Sequence, residues 1–239
     1  MKTSNTDLQL WNTHPLSYLD LHNENYDQFK KIFDTPAFIT MLGNLKNKKI
    51  LDLGCGNGDL CKALTKRGAR VIGLDGAENM LKEAEKNFSG SIYILCDLLH
   101  EPIPFPSESF DIVTAKMLLD VVASVSDVSS QALRVLKSKG LYAIEIPHPM
   151  RPYIKKNKSR YIGIHAYQAE TRGKIKFSDE NFSYYHRSIS HYINTIIELG
   201  FTLRRVQEIS VDEAFVKRFP KQKDKQTFPT SWQLLFQKA

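Results

Sequence analysis

The stretch Ile50-Leu51-Asp52-Leu53-Gly54-Cys55-Gly56-Asn57-Gly58-Asp59-Leu60 constrains this chain more than any other part of it. It reads as an apolar strand that runs straight into a glycine-rich turn and then into a helix. Glycines at alternate positions let the main chain turn tightly and let a ligand approach where a Cβ would collide. The turn also points the first free N–H groups of the helix at that ligand. The dinucleotide fingerprint GxGxxG would need its third glycine at 59, but that position is Asp59 and the glycine comes one residue early, at Gly58. An acid at a helix start competes with phosphate for the same positive end, so pyrophosphate binding, and with it an NAD-linked oxidoreductase, is disfavoured.

The texture of the chain around this turn sets the fold class. Strands are predicted over 49–53, 70–74, 92–95, 110–115 and 140–146, and helices over 59–67, 77–87 and 128–136. This alternation predicts an α/β fold, doubly wound, with a mostly parallel sheet covered by helices on both faces. Before it, Tyr26, Phe29, Ile32 and Phe33 fall at helical spacing over 23–33, and Pro36 opens a second helix to about Leu45. Residues 1–45 are therefore read as an N-terminal helical cover and 46–239 as the main domain. Residues 147–181 break the alternation, with Pro147, Pro149, Pro152 and many basic residues, and are read as an insert after the fifth strand. A helix over 190–199 stops at Gly200, a strand follows over 201–209, and a last strand is predicted over 231–237.

Two further strand ends carry acids. The second strand ends in Asp75, 21 residues past Gly54, where a carboxylate can accept from both hydroxyls of a ribose. The third ends in Cys96-Asp97-Leu98, where a carboxylate can accept from the amino group of an adenine. Glycines, an acid and an acid thus follow one another along the sheet edge at which doubly wound sheets bind ligands.

Together these residues resemble the Rossmann-fold class I S-adenosylmethionine-dependent methyltransferases. The first motif of that family, a strand followed by DxGxGxG, is matched by Asp52 to Gly58, the second by Leu74-Asp75 with Glu78-Asn79-Met80-Leu81, and the third by Cys96-Asp97-Leu98. Ser109-Phe110-Asp111-Ile112-Val113 matches the fourth strand, and Leu133 to Gly140 the helix and turn before the fifth. The resemblance is close over about 48–146 and looser to about 209. It implies seven strands with an antiparallel last one, and S-adenosyl-L-methionine as cofactor with S-adenosyl-L-homocysteine as product. It also implies roles: Gly54, Gly56 and Gly58 against the methionine moiety, Asp52 ordering the loop, Asp75 on the ribose, and Asp97, Leu98 and Met80 around the adenine. The reaction would be in-line displacement of methyl from a sulfonium, accelerated by holding donor and acceptor together, with no metal required.

The acceptor is less defined. The fourth strand continues as Thr114-Ala115-Lys116-Met117, without the Asn/Asp-Pro-Pro-aromatic sequence of amino methyltransferases, and without the acid of the magnesium-dependent catechol type. No CxxxCxxC is present, which excludes radical chemistry on an iron–sulfur cluster. Ile146-Pro147-His148-Pro149 and Tyr184-Tyr185-His186-Arg187 resemble the acceptor-pocket segments of bacterial small-molecule methyltransferases. The general base is His148, His186 or neither, and Tyr26, Lys116 and Arg187 are the candidate substrate contacts. Tyr18 and Tyr26 are also candidates to cover the sulfonium. The expected acceptor is a small molecule taking the methyl group on oxygen or nitrogen.

Charge bears on that choice. The chain of 239 residues carries a net charge of +7, and residues 151–176 hold eight Lys or Arg against Glu170, so that segment accounts for all of it. It reads as a funnel for an anionic acceptor, or for RNA with Tyr153, Tyr161 and Tyr167 as stacking platforms, or as a solvated cover. RNA or tRNA modification, and a non-catalytic cofactor-binding subunit, therefore stand as alternatives. With 42% hydrophobic residues the chain can bury a core, which excludes disorder and collagen. Three cysteines, Cys55, Cys61 and Cys96, fit neither a disulfide framework nor a paired zinc site and point to a reducing compartment. No apolar run approaches the roughly 18 residues of a membrane span and the first residues are polar, so a cytoplasmic protein without membrane attachment is expected.

Overall fold

Along Lys49–Leu53 successive side chains leave the strand on opposite faces, and both faces are buried. Ile50 packs with Phe38, Leu60 and Leu64, whereas Leu51 and Leu53 pack with Val113, Val128 and Tyr142. A strand apolar on both sides needs helices on both sides, and the computed structural model, which describes residues 5–13, 28–150, 161–162, 166–177 and 180–239, supplies them. In chain order the elements are α1 (Asn5–Thr13), a π-helical turn (Lys30–Asp34) running into α2 (Thr35–Met41), β1 (Lys49–Leu53), α3 (Asp59–Thr65), β2 (Arg70–Asp75), α4 (Glu78–Asn87) and β3 (Ile92–Leu95). There follow β4 (Phe110–Lys116), α5 (Val125–Val135), β5 (Leu136–Pro147), β6 (Tyr161–Ile162), β7 (Thr171–Phe177), β8 (Glu180–His186), α6 (Ile189–Glu198), β9 (Phe201–Ile209), α7 (Glu213–Arg218), α8 (Asp224–Thr227) and β10 (Ser231–Lys238).

The large sheet has seven strands in the order β3-β2-β1-β4-β5-β10-β9. Its first five strands pair in parallel, and β10 runs antiparallel to both β5 and β9. The order turns back between β1 and β4, and the glycine turn after β1 lies at that point.

The structure departs from the sequence expectation in several places, adding helices α1, α7 and α8 and shifting others. Helix α5 begins at Val125, three residues before the expected 128, because Ser124 caps it by accepting from the Asp127 N–H. Strand β5 begins at Leu136, ahead of the expected 140, because Lys137, Ser138 and Lys139 stay in the strand as an exposed bulge opposite β4, with Lys139 at φ 62°. The largest difference lies in the insert. Its second half is regular: β6, β7 and β8 form a separate antiparallel sheet in which Thr171 to Phe177 pairs with His186 to Glu180. Ile175, Phe182 and Tyr184 make a small core there with Leu10 and Trp11 of α1. Helix α1 is also tied to α4, where Asn79 donates to the Asn12 side chain at 3.0 Å and to its carbonyl at 2.7 Å. Residues 151–160, with most of the basic cluster, and Tyr18 and Tyr26 lie outside the described residues. Among the described residues no helix is long and apolar enough to cross a membrane.

Candidate active site

Where β1, β2, β3 and β4 end, the sheet edge opens into a cleft of about 550 Å³. Asp52, Gly54, Gly56, Asp75, Met80, Asp97, Leu98 and Lys116 all line it, so residues spread over 65 positions of sequence meet in one place. Leu8 and Trp11 of α1 close one side, and Leu118, Val121 and Val122, from the segment after β4, close another.

The glycine turn is built from both sides. Gly54 takes φ 65°, and a Cβ there would meet Leu118 Cδ1 at 2.8 Å. Gly58, also left-handed at φ 75°, does not line the cleft: a Cβ there would meet Tyr93 Oη at 2.6 Å, so this glycine is required by packing against β3. Asp75 holds the turn from β2, its Oδ2 accepting from the Gly56 N–H and its Oδ1 from the Ala77 N–H, each at 2.9 Å. Burial raises its carboxyl, and those backbone donors work in the opposite direction. Asp52 sits beneath the turn, accepting from Thr114 Oγ1 at 2.7 Å and from Cys61 Sγ at 3.5 Å. Desolvation dominates there and pushes its carboxyl up to about 6. Asp97 accepts from the Leu99 N–H at 3.1 Å, and its other oxygen is 2.6 Å from His100 Nδ1.

This donor set fits S-adenosylmethionine. Two acids at adjacent strand ends each retain lone pairs beyond the bonds they already make, as hydroxyl and amino donors require. Met80 and Leu98 supply apolar surface for a flat base, and at Gly54 and Gly56 bare main chain faces the cleft.

The acceptor-side candidates separate. Lys116 lines the cleft at the end of β4, one residue beyond Ala115, which stands opposite Leu53 in β1. The other candidates among the described residues do not line it. His148 is buried, with Nε2 2.7 Å from Glu208 Oε1 and Nδ1 accepting from the Met150 N–H at 3.2 Å, so both ring nitrogens are engaged in holding the chain after β5. His186 Nε2 donates to the Tyr167 carbonyl at 2.9 Å, and burial lowers its basicity. Arg187 is 1% exposed and acts from behind the cleft wall: its guanidinium donates to the carbonyls of Leu119, Val122 and Ala123 at 2.7 to 3.0 Å and to Glu170 at 2.6 Å.

Sequence reasoning missed the partners of Lys116. Asp34, at the end of the π-helical turn, accepts from its ammonium at 2.8 Å, and Glu145 on β5 forms a second, shorter ion pair with it. Both acids are fully buried. Burial and the neighbouring Asp34 raise the Glu145 carboxyl to about 8, whereas Asp34, against the cost of burial, is held below its ordinary value by Lys116. Glu145 did leave a signal, a charge inside the apolar run Leu141-Tyr142-Ala143-Ile144-Glu145-Ile146; Asp34 left none.

Comparison with known proteins gives a consistent picture. A family model described as a methyltransferase domain matches residues 51–144. The chain is 29% identical over 198 residues to an uncharacterized protein of Haemophilus influenzae, covering 74% of this chain and 76% of the other. It is 37% identical over 103 residues to the ubiquinone biosynthesis O-methyltransferase of Pseudomonas fluorescens, covering 41% of this chain and 43% of that enzyme. Among solved structures, an S-adenosylmethionine-dependent methyltransferase from Mesorhizobium loti superposes with a TM-score of 0.74 at 25% identity, over 85% of this chain and 96% of the other.

Proposed function

We propose that this chain, a class I S-adenosylmethionine-dependent methyltransferase, transfers the methyl group to an oxygen or nitrogen of a small acceptor bound at the cleft end beside Lys116. One observation carries the reading: the glycine turn, the two strand-end acids and the end of β4 share a single cleft. Gly54 and Gly56 receive the methionine moiety, Asp75 accepts from the ribose hydroxyls, and Asp97, Leu98 and Met80 frame the adenine. Asp52 acts below them by tying the turn to Thr114 and Cys61. When bound, the cofactor supplies a methyl group made electrophilic by a positively charged sulfur. The chain's own task is then to hold an acceptor against that methyl group and to exclude water, and the apolar walls from Trp11, Leu118 and Val122 suit it for this. A volume of about 550 Å³ suits a cofactor and a small acceptor, and similarity to an enzyme named for O-methylation in ubiquinone biosynthesis supports the same class.

The test is calorimetric titration of wild type and Asp75→Ala with S-adenosylmethionine and S-adenosylhomocysteine, with NAD as control. Micromolar binding to wild type, weakened at least about thirtyfold in the variant, is the expected result, and it licenses an acceptor screen that reads S-adenosylhomocysteine release. Absence of S-adenosylmethionine binding to wild type would sink the reading.

A further inference from the structure

A ladder of polar side chains crosses four strands of the large sheet and ends in the cleft. Lys116 on β4 stands opposite Glu145 on β5, Glu145 opposite Gln233 on β10, and Gln233 opposite Gln207 on β9. The bonds converge on Glu145 from both ends. Gln207 donates to Gln233, Gln233 donates to Glu145 Oε2 at 2.8 Å and to the Asp34 carbonyl at 3.0 Å, and Glu145 Oε1 meets the Lys116 ammonium. Asp34 closes the ladder from the N-terminal segment, taking a second N–H of Lys116 and a hydroxyl bond from Ser231. Asp34, Glu145, Ser231 and Gln233 are fully buried, while 11% of the Lys116 side chain is exposed and lines the cleft.

The charges of this cluster restrict what it can do to an acceptor. Against the cost of burial, Asp34 and Glu145 hold the Lys116 ammonium well above the usual lysine range, so it has no lone pair with which to take a proton. It has three N–H groups, of which the two acids occupy two. Among the described residues the other candidate bases are engaged elsewhere. His148 and His186 do not line the cleft, His100 is tied to Asp97 on the adenine side, and Asp52 is held under the turn by Thr114 and Cys61. An acceptor that had to surrender a proton during the reaction would find a cation beside it.

Resting on the methyl-transfer reading, we propose that the acceptor is an oxygen acid, a carboxylate or an acidic phenol that enters as its anion, and that Lys116 is the catalytic residue holding that oxygen. Asp34 and Glu145 are positioning residues. A lone pair of the oxyanion forms the new O–C bond, the S–C bond breaks with its electron pair remaining on sulfur, and no proton moves: one anion and one cation become a neutral ester or ether and a neutral thioether. Charge disappears from the oxygen along this path, so a bare ammonium would hold the ground state harder than the transition state. Pairing Lys116 with two acids tempers that hold while keeping its geometry.

The experiment titrates the complex of the protein with S-adenosylhomocysteine, using aromatic and short aliphatic carboxylates, each against its own neutral primary amide. At least one carboxylate is expected to bind wild type tenfold or more tighter than its amide. Lys116→Met/Glu145→Gln, which removes the ammonium together with a carboxyl that keeps its proton below about pH 8, is expected to lose that preference while keeping its affinity for S-adenosylhomocysteine; Lys116→Gln/Glu145→Gln carries the same expectation should the first not fold. No preference in wild type, or one that survives in the double variant, overturns the proposal. Failure of wild type to bind S-adenosylhomocysteine is read in the same titration and overturns the methyl-transfer reading instead. The positioning role has its own readout. Lys116 and Asp34 are the charged groups facing Glu145, with Gln233 its neutral neighbour, so loss of the Glu145 proton near pH 8 makes the cluster negative and weakens carboxylate binding in wild type. Glu145→Gln is expected to remove that pH dependence, and an identical profile in both proteins overturns the role.

Discussion

Lys116 and Glu145, opposite one another on adjacent parallel strands, form an ion pair in which the acid is fully buried and the lysine reaches the cleft. Buried charge of this kind costs stability unless each member is partnered, and here Asp34, Ser231 and Gln233 complete the partners.

The pair makes stability depend on pH in a stated direction. Burial first, then the Asp34 charge, raises the Glu145 carboxyl from an ordinary 4.5 to about 8. Between those values the unfolded chain gives up a proton that the folded chain keeps, so stability falls as pH rises through the window and levels off above it. Asp34 is held below its ordinary value, and its contribution is lost only at acid pH, below that window. Glu145→Gln is neutral in both states and is expected to gain on wild type steadily from about pH 5 to about pH 8. Urea denaturation at three pH values across that range checks this, and a constant difference between the two proteins would show that Glu145 does not carry the proton.

Gly58 offers a test of what the motif glycines are for. It is left-handed, and an added Cβ would come within 2.6 Å of Tyr93 Oη and 3.1 Å of Ala84 Cβ. The Tyr93 hydroxyl donates to the Phe88 carbonyl at 3.0 Å, so the ring cannot swing away without losing that bond. Gly58→Ala is expected to cost about 1–3 kcal/mol from strained backbone and crowding. Adding Tyr93→Phe removes the closest clash and should recover part of the loss. A double-mutant cycle by thermal denaturation measures the coupling, and strict additivity would mean the two residues do not meet.

The glycine turn, the strand-end acids and the alternation of strand and helix were legible because each is local: a run of neighbours in sequence dictates the backbone there. The hairpin of β7 and β8 was hidden by its composition. In Arg172-Gly173-Lys174-Ile175-Lys176-Phe177 cations alternate with Gly173 and the apolar residues, a period of two that signals a strand, but the density of charge reads first as a solvated segment. Asp34 and Lys116, 82 positions apart, could be paired only by the fold. The histidines were drawn by their chemistry toward a catalytic reading, and the structure engages the ring nitrogens of His148 with Glu208 and Met150.

Arg187 links the insert to the cleft, which makes it a remote control of the acceptor wall. Its guanidinium, almost wholly buried, satisfies three carbonyls of the segment after β4, and the neighbouring Tyr185 N–H donates to the Asp120 carbonyl at 2.8 Å. Leu118, Val121 and Val122 of that segment line the cleft, so the ends of the hairpin hold the wall in register. A lysine in place of Arg187 keeps the charge but cannot span these carbonyls with a planar fork. Arg187→Lys is therefore expected to cost about 2 kcal/mol and to leave buried carbonyls without donors. The loss should concentrate in one place: hydrogen exchange of the amides over 118–123 is expected to quicken, while exchange in β1 and β2 follows only the global change. Uniform acceleration across the sheet would mean that Arg187 supports the whole fold and holds no particular wall of the cleft.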